Sequence, residues 1–122
     1  MTDPVSPPMA DADCLFCKVV AGEVPATRLR ETERVVSFRD INPQAPTHVL
    51  VIPKDHHPDA ARLAVADPDL LAELVRVAQL VADDEGLDSH RLVFNTGAGV
   101  GQSVFHVHAH VLGGRPMGWP PG

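Results

Sequence analysis

Positive charge is scarce in this sequence: 10 lysines and arginines stand against 16 aspartates and glutamates, a net charge of −6 with histidine neutral. A general affinity for nucleic acid needs a basic face, so that class of partner is excluded. Long apolar runs are missing as well, and none approaches the roughly 20 residues that cross a bilayer. The opening Met1-Thr2-Asp3-Pro4 has neither the basic nor the apolar region of a secretory signal. These absences predict a cytoplasmic protein without membrane attachment. Cysteine is limited to Cys14 and Cys17, and a reducing compartment makes a structural disulfide between them unexpected. No internal repeat is visible, and strands and helices do not alternate as βαβ units, which argues against a parallel sheet.

What is present is an ordinary globular composition. With 44% apolar and 21% charged residues over 122 positions, the chain fits one domain with a moderate core. Residues 1–12 carry Pro4, Pro7 and Pro8 without a periodic pattern and read as a disordered tail. A single domain is expected over 13–122. Asp13 is placed to cap a short helix that Gly22 ends, with Leu15, Phe16, Val19 and Val20 as its buried stripe. Arg28–Glu31 and Val35–Arg39 read as short strands around a turn. Pro43 and Pro46 keep the stretch from Asp40 to Pro46 irregular. His48–Ile52 is a strongly apolar strand that stops at Pro53. Asp67 and Pro68 start the one long helix, whose apolar face is Leu70, Leu71, Leu74, Val77, Ala78, Val81 and Ala82. Arg91–Asn95 is a further strand. This order favours an α+β fold, an antiparallel sheet with helix on one face.

The chemistry concentrates in Ser103–Leu112. His106, His108 and His110 occupy every second position among apolar, strand-forming residues. A strand would set the three imidazoles on one face, roughly 6.5–7 Å apart, with Phe105, Val107, Ala109 and Val111 on a core face. Three imidazoles in a row can be chance on a polar face, a metal site, or a nucleophile with its supports. The preceding Gly99-Val100-Gly101-Gln102-Ser103 lets backbone approach a ligand and offers N–H groups and a hydroxyl, an anion-receiving loop. Together these describe a phosphate site with a histidine nucleophile. A neutral middle histidine can attack phosphorus while an acceptor holds its other nitrogen, and His110 and Ser103 can donate to phosphate oxygens. Cys14 and Cys17, three apart, can reach one zinc ion if two further ligands join them; two small core residues are the other reading.

His106-Val107-His108-Ala109-His110-Val111-Leu112 resembles the His-φ-His-φ-His-φ-φ signature of the histidine-triad (HIT) family. Asp40 to His48, Val51-Ile52-Pro53-Lys54, Gly101-Gln102-Ser103-Val104, and the ending Gly113-Gly114-Arg115 with Trp119-Pro120-Pro121-Gly122 resemble its Hint branch of nucleotide-binding proteins. The Fhit-branch dinucleoside polyphosphate hydrolases lack that ending. The resemblance runs from about Cys14 to the last residue. It implies a five-stranded antiparallel sheet with one long and one short helix, and a homodimer with a ten-stranded sheet. The implied activity is hydrolysis of purine nucleoside 5′-phosphoramidates through a nucleotidyl-histidine. Carried over by position, His108 is the nucleophile, His48 supports it from the neighbouring strand, and His110 and Ser103 bind phosphate. Asn95 matches a polar contact on the phosphate side, Gly101 and Gln102 belong to the phosphate loop, and Asp40 takes the ribose hydroxyls. Phe16, Val24, Phe38, Ile41 and Leu50 match the walls around the purine.

The Cys14-x-x-Cys17 pair departs from the animal Hint pattern and is similar to bacterial members that hold a structural zinc with two Cys and two His. By position those histidines are His56 and His106, with His57 the alternative to His56. A purine-nucleotide-binding regulatory module with incidental slow hydrolysis and a dinucleoside polyphosphate hydrolase are the competing functions. A catalytic metal on all three triad histidines would leave Ser103 and the Gly loop without a task.

Overall fold

The computed structural model describes residues 11–122; most of the expected tail lies outside the described residues. Chain order gives α1 (Leu15–Val20), β1 (Arg28–Glu31), β2 (Val35–Arg39), β3 (Thr47–Pro53), α2 (Ala60–Ala66), α3 (Pro68–Asp84), β4 (His90–Phe94) and β5 (Ala109–Gly113). The five strands form one antiparallel sheet in the order β1-β2-β3-β5-β4. The α+β architecture is the one the sequence implies.

β3 lies at the centre, and every one of its residues is buried. Its unbroken apolar run is what a strand covered on both faces requires. Val49 and Val51 point to one side, where they meet Leu74, Val77, Ala78 and Val81 of α3. Leu50 and Ile52 point to the other, where Phe16 and Val19 of α1 and Phe38 of β2 pack. The sheet is therefore sandwiched between α3 and the short α1. Asp67 caps α3 through Leu70 N–H at 3.1 Å, Pro68 is its first residue, and Gly86 follows its end at φ +71°.

Three details differ from expectation. A second short helix, α2, precedes α3, capped by Asp59. Only Leu63 of α2 is buried, so the sequence shows no apolar stripe there. The cap of α1 is Cys14, whose sulfur accepts from Cys17 N–H at 3.3 Å, rather than Asp13. The triad strand begins at Ala109, not Ser103. The β3–β5 register pairs Val51 with Ala109, so Val107 would face Pro53, which has no N–H to donate. Val107 N–H turns instead to the His57 carbonyl at 2.7 Å. Beyond that point the alternation fails, and Phe105, expected in the core, is 50% exposed. Val107, Ala109 and Val111 do enter the α3-side core.

Candidate active site and metal centre

Beside α1 the sheet holds a cavity of about 360 Å³. Phe16, Val24, Phe38, Ile41 and Leu50 give it an apolar end, and Asp40, Gly101, Ser103, His108 and His110 a polar one. Asp40 follows β2, His110 lies in β5, and Ser103 ends the Gly-rich loop, so two strands and a loop converge here. Of the residues assigned to the nucleotide, Asn95 and Gln102 do not line it. Gln102 is instead buried inside its own loop. Its amide donates to the carbonyls of Pro58 (2.7 Å) and Val104 (3.2 Å) and accepts from Gly97 N–H (2.8 Å). Its side chain shapes the loop that presents Ser103.

Hydrogen bonds fix the proton on each ring. His108 Nδ1 lies 2.9 Å from the His106 carbonyl, which can only accept, so Nδ1 carries the hydrogen and Nε2 keeps its lone pair. The tautomer of His48 is fixed in the same way. Gln44 N–H donates to His48 Nδ1 at 3.0 Å, so His48 is protonated at Nε2. That Nε2 lies 2.9 Å from His110 Nδ1 and 3.4 Å from Asp40 Oδ2. His110 Nδ1 is therefore the acceptor, and its hydrogen sits on Nε2. His110 Nε2 is buried with no partner among the described residues, an unsatisfied donor. The structure thus places His48 against His110 rather than against His108, which the His106 carbonyl holds.

Burial is the main cause that pushes all three of these rings toward the neutral form. It lowers His108 against the opposing pull of the His106 carbonyl. It lowers His110 to about 4, helped by repulsion from His108 and His48. It lowers His48 against the attraction of Asp40. At neutral pH the site therefore holds a bare imidazole lone pair on His108 beside an N–H donor on His110, the equipment for attack on a phosphorus centre.

On the far side of His106 lies a second constellation. One ligand atom each from Cys14, Cys17, His56 and His106 falls within 4.8 Å of every other. His106 Nδ1 is 3.4 Å from Cys14 Sγ and 3.5 Å from Cys17 Sγ, and His56 Nδ1 is 3.5 Å from Cys17 Sγ. A tetrahedral zinc with bonds of about 2.3 Å to sulfur and about 2.0 Å to nitrogen would hold such atoms about 3.6 Å apart. His106 Nε2 donates to the Pro53 carbonyl at 2.8 Å, which leaves Nδ1 free to ligate. Without a cation, burial and the neighbouring Cys14 thiol push the Cys17 thiol up to about 11, so a metal bound there would displace its proton. The donor set fits zinc. His56 is the histidine of the set, and His57 is not part of it. Asp40, His48 and His110 also bring ligand atoms together. There the Gln44 N–H occupies His48 Nδ1 and forces the proton onto Nε2, so the trio is a hydrogen-bond chain.

The HIT domain family model matches residues 21–117. The chain belongs to the HIT family. A solved HIT family hydrolase from Legionella pneumophila is 50% identical and superposes with a TM-score of 0.86, covering 90% of this chain and all of that one (100%). The 14 kDa zinc-binding protein of Zea mays is 48% identical over 115 residues, 92% of this chain and 90% of its own. Adenylylsulfatase HINT1 of Arabidopsis thaliana is 42% identical over 116 residues, 93% of this chain and 79% of its own.

In this HIT protein the triad therefore divides by environment. His106 is fully buried between the thiols and Pro53, while His108 and His110 line the cavity. Sequence reasoning missed the Gln44 N–H and the Pro53 carbonyl, because backbone groups leave no signature in a side-chain motif. Gln102 was legible as a loop residue, but its buried bracing role was not.

Proposed function

We propose that the protein is a purine nucleoside 5′-phosphoramidate hydrolase that works through a nucleotidyl-histidine. The observation that carries this reading is the pair of tautomers in one cavity: a lone pair on His108 Nε2 and an unpartnered N–H on His110 Nε2. The base would lie between Phe16, Phe38, Ile41 and Leu50, and Asp40 would accept the ribose hydroxyls. Ser103 and His110 would donate to the non-bridging oxygens. His108 Nε2 then bonds to phosphorus as the P–N bond breaks, and the departing amine takes its proton from solvent water. Water next attacks the same phosphorus and gives up a proton to solvent, the P–His108 bond breaks with the electron pair returning to Nε2, and the nucleoside monophosphate is released. His48 keeps His110 in its donor form.

Cys14, Cys17, His56 and His106 would hold zinc, which would supply a structural tie between α1 and the segment before β5. Four protein ligands leave no open position for substrate. Residues 13–122 act as a single cytoplasmic domain. A homodimer would form along β4, whose outer edge pairs with no strand among the described residues.

The relative named adenylylsulfatase favours one second reading, an adenylyl group with sulfate rather than an amine as leaving group. Both use the same nucleotide half. Turnover against a panel of nucleoside phosphoramidates, adenylyl sulfate and dinucleoside polyphosphates decides between them. The expected result is monophosphate release fastest from phosphoramidates and its loss in His108→Ala, with AMP still bound. Unchanged turnover in that variant would remove His108 as the nucleophile.

A further inference from the structure

The turn after β5 meets the chain of histidines from behind. β3 and β5 pair His48 with Leu112 and Thr47 with Gly113. Continuing that register sets Gly114 and Arg115 beside the irregular stretch from Pro43 to Pro46. Gly114 has φ +90°, and a Cβ there would lie 2.9 Å from Cβ of Pro46, so its backbone is pressed against the turn with no room for a side chain. The next residue, Arg115, donates through Nε to the Gln44 carbonyl at 2.9 Å. A second guanidinium nitrogen donates to the Pro116 carbonyl at 3.0 Å. Gln44 in turn donates its N–H to His48 Nδ1 at 3.0 Å.

We propose that Arg115 is a positioning residue for the reaction: by gripping Gln44 it holds His48, and through it His110, in the tautomers that present His110 Nε2–H to phosphate. The consequence of losing the grip follows from proton bookkeeping alone. If Gln44 drifts, His48 Nδ1 loses its donor and the ring can carry its hydrogen on Nδ1 instead. His48 Nε2 then becomes an acceptor facing His110 Nδ1, 2.9 Å away. His110 must move its own hydrogen to Nδ1 to meet it. That leaves a lone pair on His110 Nε2, directed at phosphate oxygens where a donor is required. A shift in one backbone turn thus reverses the polarity of the group meant to bind the anion. Arg115 does not line the cavity, so the cavity's lining alone would not select it.

This inference rests on the phosphate-binding role proposed for His110, and its test separates the two. Full-length protein labelled with ¹⁵N-histidine reports each ring's tautomer by long-range ¹H–¹⁵N correlation near neutral pH, with no substrate present. In the wild type, His48 and His110 are expected to be bare at Nδ1 and protonated at Nε2. In Arg115→Ala, His48 and His110 should show a mixture of both tautomers, and kcat/KM for a nucleoside phosphoramidate should fall about tenfold, the worth of one net hydrogen bond. Arg115→Lys, which restores one donor, should recover part of both readouts. Circular dichroism confirms the fold of each variant. If Arg115→Ala does not fold, Arg115→Lys and Arg115→Gln carry the same tautomer readout. Wild-type tautomers retained in Arg115→Ala (or in Arg115→Gln, if the alanine variant does not fold), or a wild-type His48 protonated at Nδ1, would overturn the proposal. A protein that hydrolyses no phosphoramidate sinks the proposed function instead, while the tautomer spectra still decide the role of Arg115.

Discussion

Replacing Cys14 by Ser is expected to remove zinc and to loosen one side of the molecule only. Cys14 is 8% exposed and packs with Phe16, Val19, Val36, Phe38, Leu50 and Ile52 under α1. The larger cluster between the sheet and α3 contains none of the four candidate ligands. The fold therefore has a core that does not depend on the metal, unlike a zinc finger. A metal present at about a thousand times its dissociation constant adds about 4 kcal/mol to the folded state. For a domain of this size that corresponds to a shift in melting temperature of about 15 °C. Calorimetric melts with and without a strong chelator measure it, with elemental analysis of each sample. The wild type should carry one zinc per chain and lose about 15 °C on chelation. Cys14→Ser should start near the chelated wild type and respond little to chelator. A wild type free of zinc when purified without chelator, or equal chelator responses in the two proteins, would refute the assignment.

Gln102→Ala removes the partner of Gly97 N–H, Pro58 C=O and Val104 C=O inside a buried loop. The expected cost is about 2–3 kcal/mol in urea unfolding, with weaker phosphate binding as Ser103 loses its support. Asp40→Asn removes the carboxylate proposed for the ribose diol and should raise the Kd for AMP about tenfold by titration calorimetry. Glu85 bonds Arg39 at 2.8 and 3.0 Å, which holds its carboxyl below the usual range. A lowered folded value means that this stabilisation is present above the ordinary carboxylate pKa of about 4.3 and is lost as pH falls through the folded value. The stability gap between wild type and Glu85→Gln should accordingly be full at neutral pH and close in acid; a gap that widened below pH about 4 would contradict the ion pair.

The parts of the fold that the sequence foretold are those with a repeating or terminating signal. β3 has its apolar run, α3 its cap, proline and seven-residue apolar face, and all but Leu71 of that face is buried. What was hidden depends on partners distant in the chain. β5 is shortened because Pro53 stands where a ladder donor is needed, 54 residues before Val107. α2 buries a single leucine and so leaves no stripe. His56 and His57 are adjacent and chemically identical, and only the placement of α1 singles out His56. The assignment of His48 to His108 had the right neighbourhood and the wrong ring. Cross-strand register sets Leu50 opposite His110 and His48 opposite Leu112, while the side-chain hydrogen bond runs diagonally from His48 to His110.

The proposed reaction requires His108 to form a covalent bond to phosphorus. Rapid mixing with a nucleoside phosphoramidate, acid quench and peptide mass analysis tests it directly. The expected result is one nucleotidyl group per chain on His108, formed and lost at rates consistent with turnover and absent from His108→Ala. Full turnover with no adduct on His108, or an adduct on His106 or His110 instead, would contradict it.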